Sequence, residues 1–158
     1  MKKLLAILMT LCLLCAACAA TADMEIPDWN SMPNLVDNED NAIEESAFAG
    51  EWVLDVAFAD QTYITEQELA GTYHYNFMPF IIGDGLVKQD MQNENGEFVT
   101  LELPYVFEYG QIHGTDDQGT QFVFELLENG NLVMSVFFPG EGEKVTCLSV
   151  FLKHPEEV

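Results

Sequence analysis

Turn residues recur throughout residues 48–158 and divide this part of the chain into short apolar or alternating segments. The turn candidates lie at 83–85, 93–96, 116–119, 129–130 and 139–142. Their glycine, asparagine and aspartate residues tolerate the positive φ angles that tight turns need. Because short loops join strands only in antiparallel pairs, this spacing predicts an all-β fold built as an antiparallel up-and-down meander.

Nine segments of this region have the pattern of β-strands. They are 51–58, 72–82, 85–92, 97–103, 105–109, 111–114, 120–127, 131–138 and 144–152. After the first of them, Thr65 and Glu68 have the spacing of a capping box, which predicts one short helix near residues 65–70. A meander of this size most simply removes its edges by closing on itself. We therefore expect an eight-stranded barrel, filled by side chains or holding one small ligand.

The N-terminus has the features of an export signal. Lys2 and Lys3 precede an apolar run at residues 4–20 that ends in small residues. This order of charge, apolar core and cleavage site predicts a signal peptide at residues 1–17. A run of seventeen apolar residues also lies at the lower limit for crossing a bilayer. A retained membrane helix therefore stays as an alternative.

Ala16, Ala17 and Cys18 resemble a bacterial lipobox, in which the cysteine is acylated and becomes the new N-terminus. The resemblance implies a lipid anchor, such as palmitate, on Cys18. It places the protein on the extracytoplasmic face of an inner or an outer membrane. Two acyl chains hold a protein on a membrane stably. The alternative is cleavage after Ala22, which would release a secreted protein.

The segment after the cysteine is acidic and poor in apolar residues. Residues 19–47 contain eight acidic and no basic residues. Such a composition buries too little surface to offset the entropy of ordering. We therefore predict a lipidated flexible tether at 18–47 and a folded domain at 48–158. A short helix that docks on the domain is an alternative, because Ile26, Trp29, Met32 and Leu35 recur near helical spacing.

The charge of the exported part restricts its partners. Beyond the signal peptide, three lysines and no arginine stand against 27 acidic residues, a formal charge of −24. A surface of this sign repels nucleic acid, so we expect no nucleic-acid partner. A basic protein remains a candidate partner.

No catalytic or metal-binding pattern is present in the sequence. His74, His113 and His154 lack the spacing of zinc ligands, and no nucleophile elbow, phosphate loop or dinucleotide fingerprint occurs. We therefore predict no enzymatic activity, no metal and no cofactor. Cys147 is the one cysteine beyond Cys18, and its apolar surroundings predict an inert buried thiol.

The sequence Gly50-Glu51-Trp52 opens the first predicted strand. This G-x-W element, the helical turn after the strand and the repeated hairpins resemble the bacterial lipocalin-like lipoproteins, which are calycin-type β-barrels. The resemblance covers about residues 48–152. It implies a barrel with Trp52 at one closed end. In lipocalins a basic side chain of the last strand packs over this tryptophan, and Lys144 and Lys153 are the candidates here.

Aromatic residues alternate along three of the predicted strands. The sets are Tyr73, Tyr75 and Phe77; Tyr105, Phe107 and Tyr109; and Phe122 and Phe124. They either line an apolar cavity or fill the interior of the barrel. The two readings correspond to two functions. One is a carrier of a small apolar ligand whose binding residues the sequence does not specify. The other is an acidic interaction or inhibitor module with a filled barrel.

Overall fold

The computed structural model describes residues 26–37, 42–92, 95–138 and 147–155. Within these residues the chain forms nine strands and one α-helix. Their order is β1 Gly50–Ala59, β2 Thr62–Ile64, α1 Glu66–Tyr73, β3 Phe80–Gly83, β4 Leu86–Gln92, β5 Phe98–Glu108, β6 Gln111–Thr115, β7 Gln121–Leu126, β8 Leu132–Phe137 and β9 Cys147–Lys153. Two short 3-10 helices, Trp29–Ser31 and Glu45–Phe48, precede β1. The predicted signal peptide and Cys18 lie outside the described residues.

Eight strands close into a barrel. Each strand from β3 to β8 pairs with the next one in antiparallel fashion, and β1 pairs with both β3 and β9. The short strand β2 pairs with the last part of β1. The predicted all-β, up-and-down, eight-stranded barrel is thereby confirmed. The segments predicted as strands 97–103 and 105–109 are one long strand, β5, which pairs first with β4 and then with β6.

The predicted helix is present and longer than expected. The Thr65 Oγ1 atom accepts from the Glu68 amide at 3.3 Å, and the Thr65 amide donates to the Glu68 carboxylate at 3.0 Å. This is the capping box that the sequence indicated. The helix α1 runs to Tyr73 and ends at His74, whose φ of +53° is left-handed. Within the described part of the chain, no helix has the length and apolarity needed to cross a membrane.

The strand predicted at 72–82 is wrong over most of its length. Its first two residues belong to α1, residues 74–79 form no regular element, and only Phe80 onward is strand. The left-handed cap at His74 turns the chain away from an extended path. Tyr73, Tyr75 and Phe77 therefore do not share one strand face as the alternation suggested.

Alternate side chains of the strands fill the barrel. The buried ones form one cluster with Phe48, Trp52 and Leu69. The strand members of that cluster are Ala57, Phe80, Ile82, Val87, Ile112, Phe122, Phe124, Leu132, Met134, Leu148, Val150 and Leu152. Burial of each large apolar side chain contributes about 1.5–3 kcal/mol to the stability of such a core.

A β-bulge in β1 creates a second, outer apolar patch. The pairing of β1 with β9 shifts between Leu54 and Val56. Before the shift, Trp52 and Leu54 belong to the barrel core. After the shift, Ala57 belongs to the core, whereas Val56 and Phe58 belong to a separate cluster. A bulge changes which face of the sheet later side chains occupy. The outer patch consists of Val56, Phe58, Leu127, Val133 and Phe151.

Residues 26–37, which we call the strap, lie on this outer patch. The Trp29 ring meets Phe58 and Phe151 edge-on, at centroid distances of 5.3 and 5.8 Å. Beyond Trp29, Leu35 forms an isolated antiparallel bridge with Leu127. The structure therefore differs from the flexible tether predicted at 18–47 in this part, and agrees with the docking alternative. Composition averaged over the segment concealed the few apolar residues that match the patch. The remaining tether residues 18–25 and 38–41 lie outside the described part.

Candidate functional site

Trp52 closes one end of the barrel, which we call the closed end. Its side chain is fully buried, and its indole Nε1 donates to the Phe48 carbonyl oxygen at 2.9 Å. The His154 ring stacks on the indole at a centroid distance of 3.8 Å. Gly50 has a φ of +134°, and a Cβ there would lie 3.5 Å from His154 Cε1. The G-x-W element thus combines a glycine-compatible backbone with the tryptophan that seals the barrel.

The residue that covers Trp52 is different from the one expected. Lys144 and Lys153 were the candidates, but His154 occupies this position. Lys153 instead forms an ion pair with Asp55 at 3.1 Å, on the outer wall. Lys144 lies outside the described residues. The sequence carried a usable signal, because His154 directly follows the last strand and is aromatic.

The interior is occupied by aromatic rings that contact one another. Phe80 and Phe124 are 6.2 Å apart between centroids, and Phe122 and Phe124 are 5.8 Å apart. The predicted pair Phe122 and Phe124 is buried, with 7% and 0% exposure. Phe107 packs on Phe48 near the closed end. Tyr109 differs from the prediction, because it lies in the turn after β5 with 83% exposure. The alternating aromatics therefore fill the barrel to a large extent.

Apolar side chains remain exposed at the opposite end, which we call the far end. There β4 and β5 form a hairpin in which Met91 pairs with Val99 and Gln89 with Leu101. These residues share the face of the buried Val87, so they point toward the barrel axis. Val99 and Leu101 are nevertheless 41% and 39% exposed. This inward-facing rim is an apolar surface that the barrel core does not cover.

A groove of about 600 Å³ lies between the strap and the outer wall. The strap contributes Trp29, Met32 and Leu35 to its lining, and the wall contributes strands β7, β8 and β9. The residues of the wall are Glu125, Leu127, Val133, Ser135, Ser149 and Phe151. The volume falls within the range of small-molecule sites. Sequence reasoning missed this groove, because the strap and the strands that line it are far apart in the sequence.

Glu125 is the ionisable residue of the groove lining. Burial raises the pKa of this carboxyl, while the hydrogen bond from Gln111 and the nearby His113 lower it in part. His113 lies beside it on β6, and its Nε2 atom is buried without a hydrogen-bond partner in the described part of the chain. Partial burial of a carboxylate and burial of an unpartnered imidazole nitrogen both cost free energy unless they are compensated. This part of the wall is therefore unusually polar for a packed surface.

The turns of the closed end carry exposed carboxylates. Glu44 and Glu45 stand at the 3-10 helix before β1, and Asp84, Glu108 and Glu128 stand at or beside the turns after β3, β5 and β7. The Tyr105 hydroxyl donates to Glu45 at 2.8 Å, and burial together with this bond raises the pKa of Tyr105. The two lysines of the described residues, Lys88 and Lys153, are each in an ion pair. The closed end is therefore strongly negative.

The cysteine and histidines do not come together. Cys147 is half-buried, and burial raises the pKa of its thiol, which disfavours the reactive thiolate. His74 caps α1, His113 lies on the outer wall and His154 covers Trp52. Among the described residues, no three His, Cys, Asp or Glu side chains are grouped to hold a metal ion.

The fold and these surfaces define a class: a closed, eight-stranded, antiparallel barrel compatible with a calycin-like fold. Its interior is packed, and its distinctive surfaces lie on the outside and at the two ends. Comparisons with protein-family models, curated proteins and solved structures give no match to this chain.

Proposed function

We propose that this protein is an extracytoplasmic lipoprotein, anchored through Cys18, whose barrel binds a basic protein partner. The observation that carries the proposal is the packed interior of the barrel, which directs binding to the surface. The surface carries far more acidic than basic residues. Charge of one sign steers a complementary partner toward contact and raises the rate of association.

The closed end is the part of the surface that fits this partner best. Its five exposed carboxylates come from four separate segments around the buried Trp52. Turn residues held by a rigid barrel keep their positions when a partner arrives, so binding costs little ordering entropy. A basic protein therefore meets a fixed, negative surface there.

The salt dependence of binding tests this proposal. A partner captured by the full chain would be purified and titrated in about 50 to 500 mM NaCl, where screening becomes strong. We expect affinity to fall at least about tenfold over this range. Replacement of Glu44, Glu108 and Glu128 by glutamine should also weaken binding.

A matched variant controls for overall charge. It carries Glu66→Gln, Glu97→Gln and Asp117→Asn, which remove three exposed carboxylates toward the far end. It should bind nearly as tightly as the unchanged protein. Affinity that is independent of salt, or equal losses in the two variants, would contradict binding at the closed end.

A small apolar ligand is a second candidate, favoured by the rim at the far end. The inward-facing Val99 and Leu101 are exposed there, above the packed core. Titration with the apolar dye Nile red tests this function. Leu101→Gln should abolish saturable binding, whereas Ile81→Gln, on the outer face with 53% exposure, should not. Absence of saturable binding to the unchanged protein would eliminate the carrier function.

The anchor is tested separately by cell fractionation. Cys18→Ala should move the protein from the membrane fraction to the soluble fraction, because it removes the acylated sulfur. If the variant stays in the membrane, the N-terminal segment is retained as a membrane helix. If the unchanged protein is already soluble, cleavage after Ala22 is the better account.

A further inference from the structure

The strap and the outer wall of the barrel enclose a groove. Trp29 and Met32 pack on the outer patch and form one side. Strands β7, β8 and β9 form the floor. The strap is held at its other end by two backbone hydrogen bonds of 2.9 Å, from Val36 to Leu126 and from Glu128 to Asn34. Contacts at both ends give the groove a defined shape.

The lining combines apolar walls with one carboxylate. Trp29 and Phe151 present aromatic rings, and Leu127 and Val133 add aliphatic surface. Glu125 accepts one hydrogen bond, from Gln111 to Oε1, and within the described residues no donor reaches its Oε2 atom. The lining residues include no lysine, arginine or histidine. The groove is therefore negative and partly desolvated.

We propose that this groove binds a small organic ammonium ion, with the ammonium on Glu125 and the apolar body against Trp29 and Phe151. A carboxylate of this kind forms charge-assisted hydrogen bonds with an ammonium group. The rings of Trp29 and Phe151 give the apolar body a hydrophobic surface to pack against. The Ser135 and Ser149 hydroxyls on the floor offer further acceptors.

A second observation supports this assignment over a purely structural role for Glu125. A half-buried carboxylate whose pKa is raised by burial reduces the stability of the folded state when it is charged. Apolar or amide side chains would pack in the same place without that cost. A cationic ligand compensates it. The proposal goes beyond the binding of a basic protein at the closed end and does not depend on it.

Calorimetric titration of the full chain with n-butylammonium tests the proposal, with n-butanol as the uncharged control. We expect saturable binding of butylammonium and none of butanol. Glu125→Gln should weaken binding about tenfold or more, because it removes the charge and keeps the shape. Asp117→Asn, at an exposed site in the turn between β6 and β7, should change affinity less than about twofold.

A second variant keeps the charge and fills the groove. Ser135→Leu adds volume to the floor without altering Glu125, and it should also abolish binding. The proposal is overturned if butylammonium shows no saturable binding, if butanol binds equally, or if the Glu125 and Asp117 variants lose affinity alike. Binding of a lysine-containing peptide in the absence of butylammonium binding would equally overturn it. That result would assign the wall to a protein partner.

Discussion

Glu125 shows how a single side chain is shaped by its place on the barrel wall. It lies on the outer face of β7, opposite Gln111 and diagonal to His113. Burial favours its neutral form and outweighs the hydrogen bond and the charge that favour its ionised form. The raised pKa is therefore a property of the wall that the strap helps to cover.

Glu125→Gln should stabilise the protein at neutral pH. In the folded state the raised pKa makes the charged carboxylate unfavourable, so stability falls as pH rises from the ordinary glutamate pKa of about 4.3 through the raised value. Below about pH 4 the side chain is neutral in both states, and the variant should match the unchanged protein. Thermal unfolding at several pH values measures this. A variant that is less stable at pH 7 would mean that the carboxylate stabilises the fold.

Gly114 is required by a packing contact. A Cβ at this position would lie 2.0 Å from the Phe122 ring, which covers the glycine from the paired strand. Gly114→Ala should destabilise the protein by about 1–3 kcal/mol, because the ring must move within a packed core. Urea unfolding measures the change. At Gly83, a Cβ meets nothing within 4 Å, so Gly83→Ala is the matched control with an expected effect below about 0.5 kcal/mol. Equal losses in the two variants would contradict this role of Phe122.

Residue roles were predictable where a local motif defined them. Thr65 and Glu68 form the capping box that their spacing predicted, and Trp52 of the G-x-W element is fully buried. The residue that stacks on Trp52 was not predicted, because the position of His154 depends on where the chain passes after its last strand. Glu125 had no sequence signal, since carboxylates are frequent throughout the chain.

At the scale of elements, the bulge in β1 and the strap depend on each other. The bulge moves Val56 and Phe58 to the outer face, where large apolar side chains would otherwise meet water. Trp29 and Met32 of the strap cover them. An uncovered apolar patch on a barrel wall favours association with other molecules. The strap is therefore the element that makes this bulged strand compatible with a solvent-facing barrel.

Removal of the Trp29 ring tests this dependence. Trp29→Ala should destabilise the protein by about 1–2 kcal/mol, since the half-buried ring contacts Phe58 and Phe151. It should also speed proteolysis within the strap. Ile26→Ala, at a strap position with 74% exposure, is the control and should change stability by less than about 0.5 kcal/mol. If the two variants unfold at the same urea concentration, the contacts of Trp29 with the outer patch do not stabilise the protein.

The elements were predictable to different degrees for physical reasons. Strands bounded by turn residues were located well, because short hairpins depend on local backbone preferences. The segment 72–82 was wrongly predicted as a strand. Its alternating aromatic residues are compatible with a strand, and equally with the end of a helix followed by an irregular segment. Docking of the strap depends on contacts with residues about 100 positions away, such as Phe151, which local patterns do not contain.

For the whole molecule, closure of the sheet followed from the number of strands and the short connections between them. The filling of the barrel interior did not follow from the sequence, because packing depends on how facing side chains fit together. Phe80, Phe122 and Phe124 meet inside the barrel, and Trp52 seals its closed end. We therefore propose that this barrel binds its partners at the outer surface and not in its interior.

Native mass spectrometry of residues 19–158, produced in a lipid-containing bacterial host and purified gently, distinguishes binding at the surface from binding inside the barrel. The same preparation measured after denaturation supplies the reference mass. We predict that the native and denatured masses agree, because buried apolar side chains from the strands cluster inside the barrel. A bound mass that is lost on denaturation and that survives both Glu125→Gln and Leu101→Gln would place a ligand inside the barrel and contradict the account.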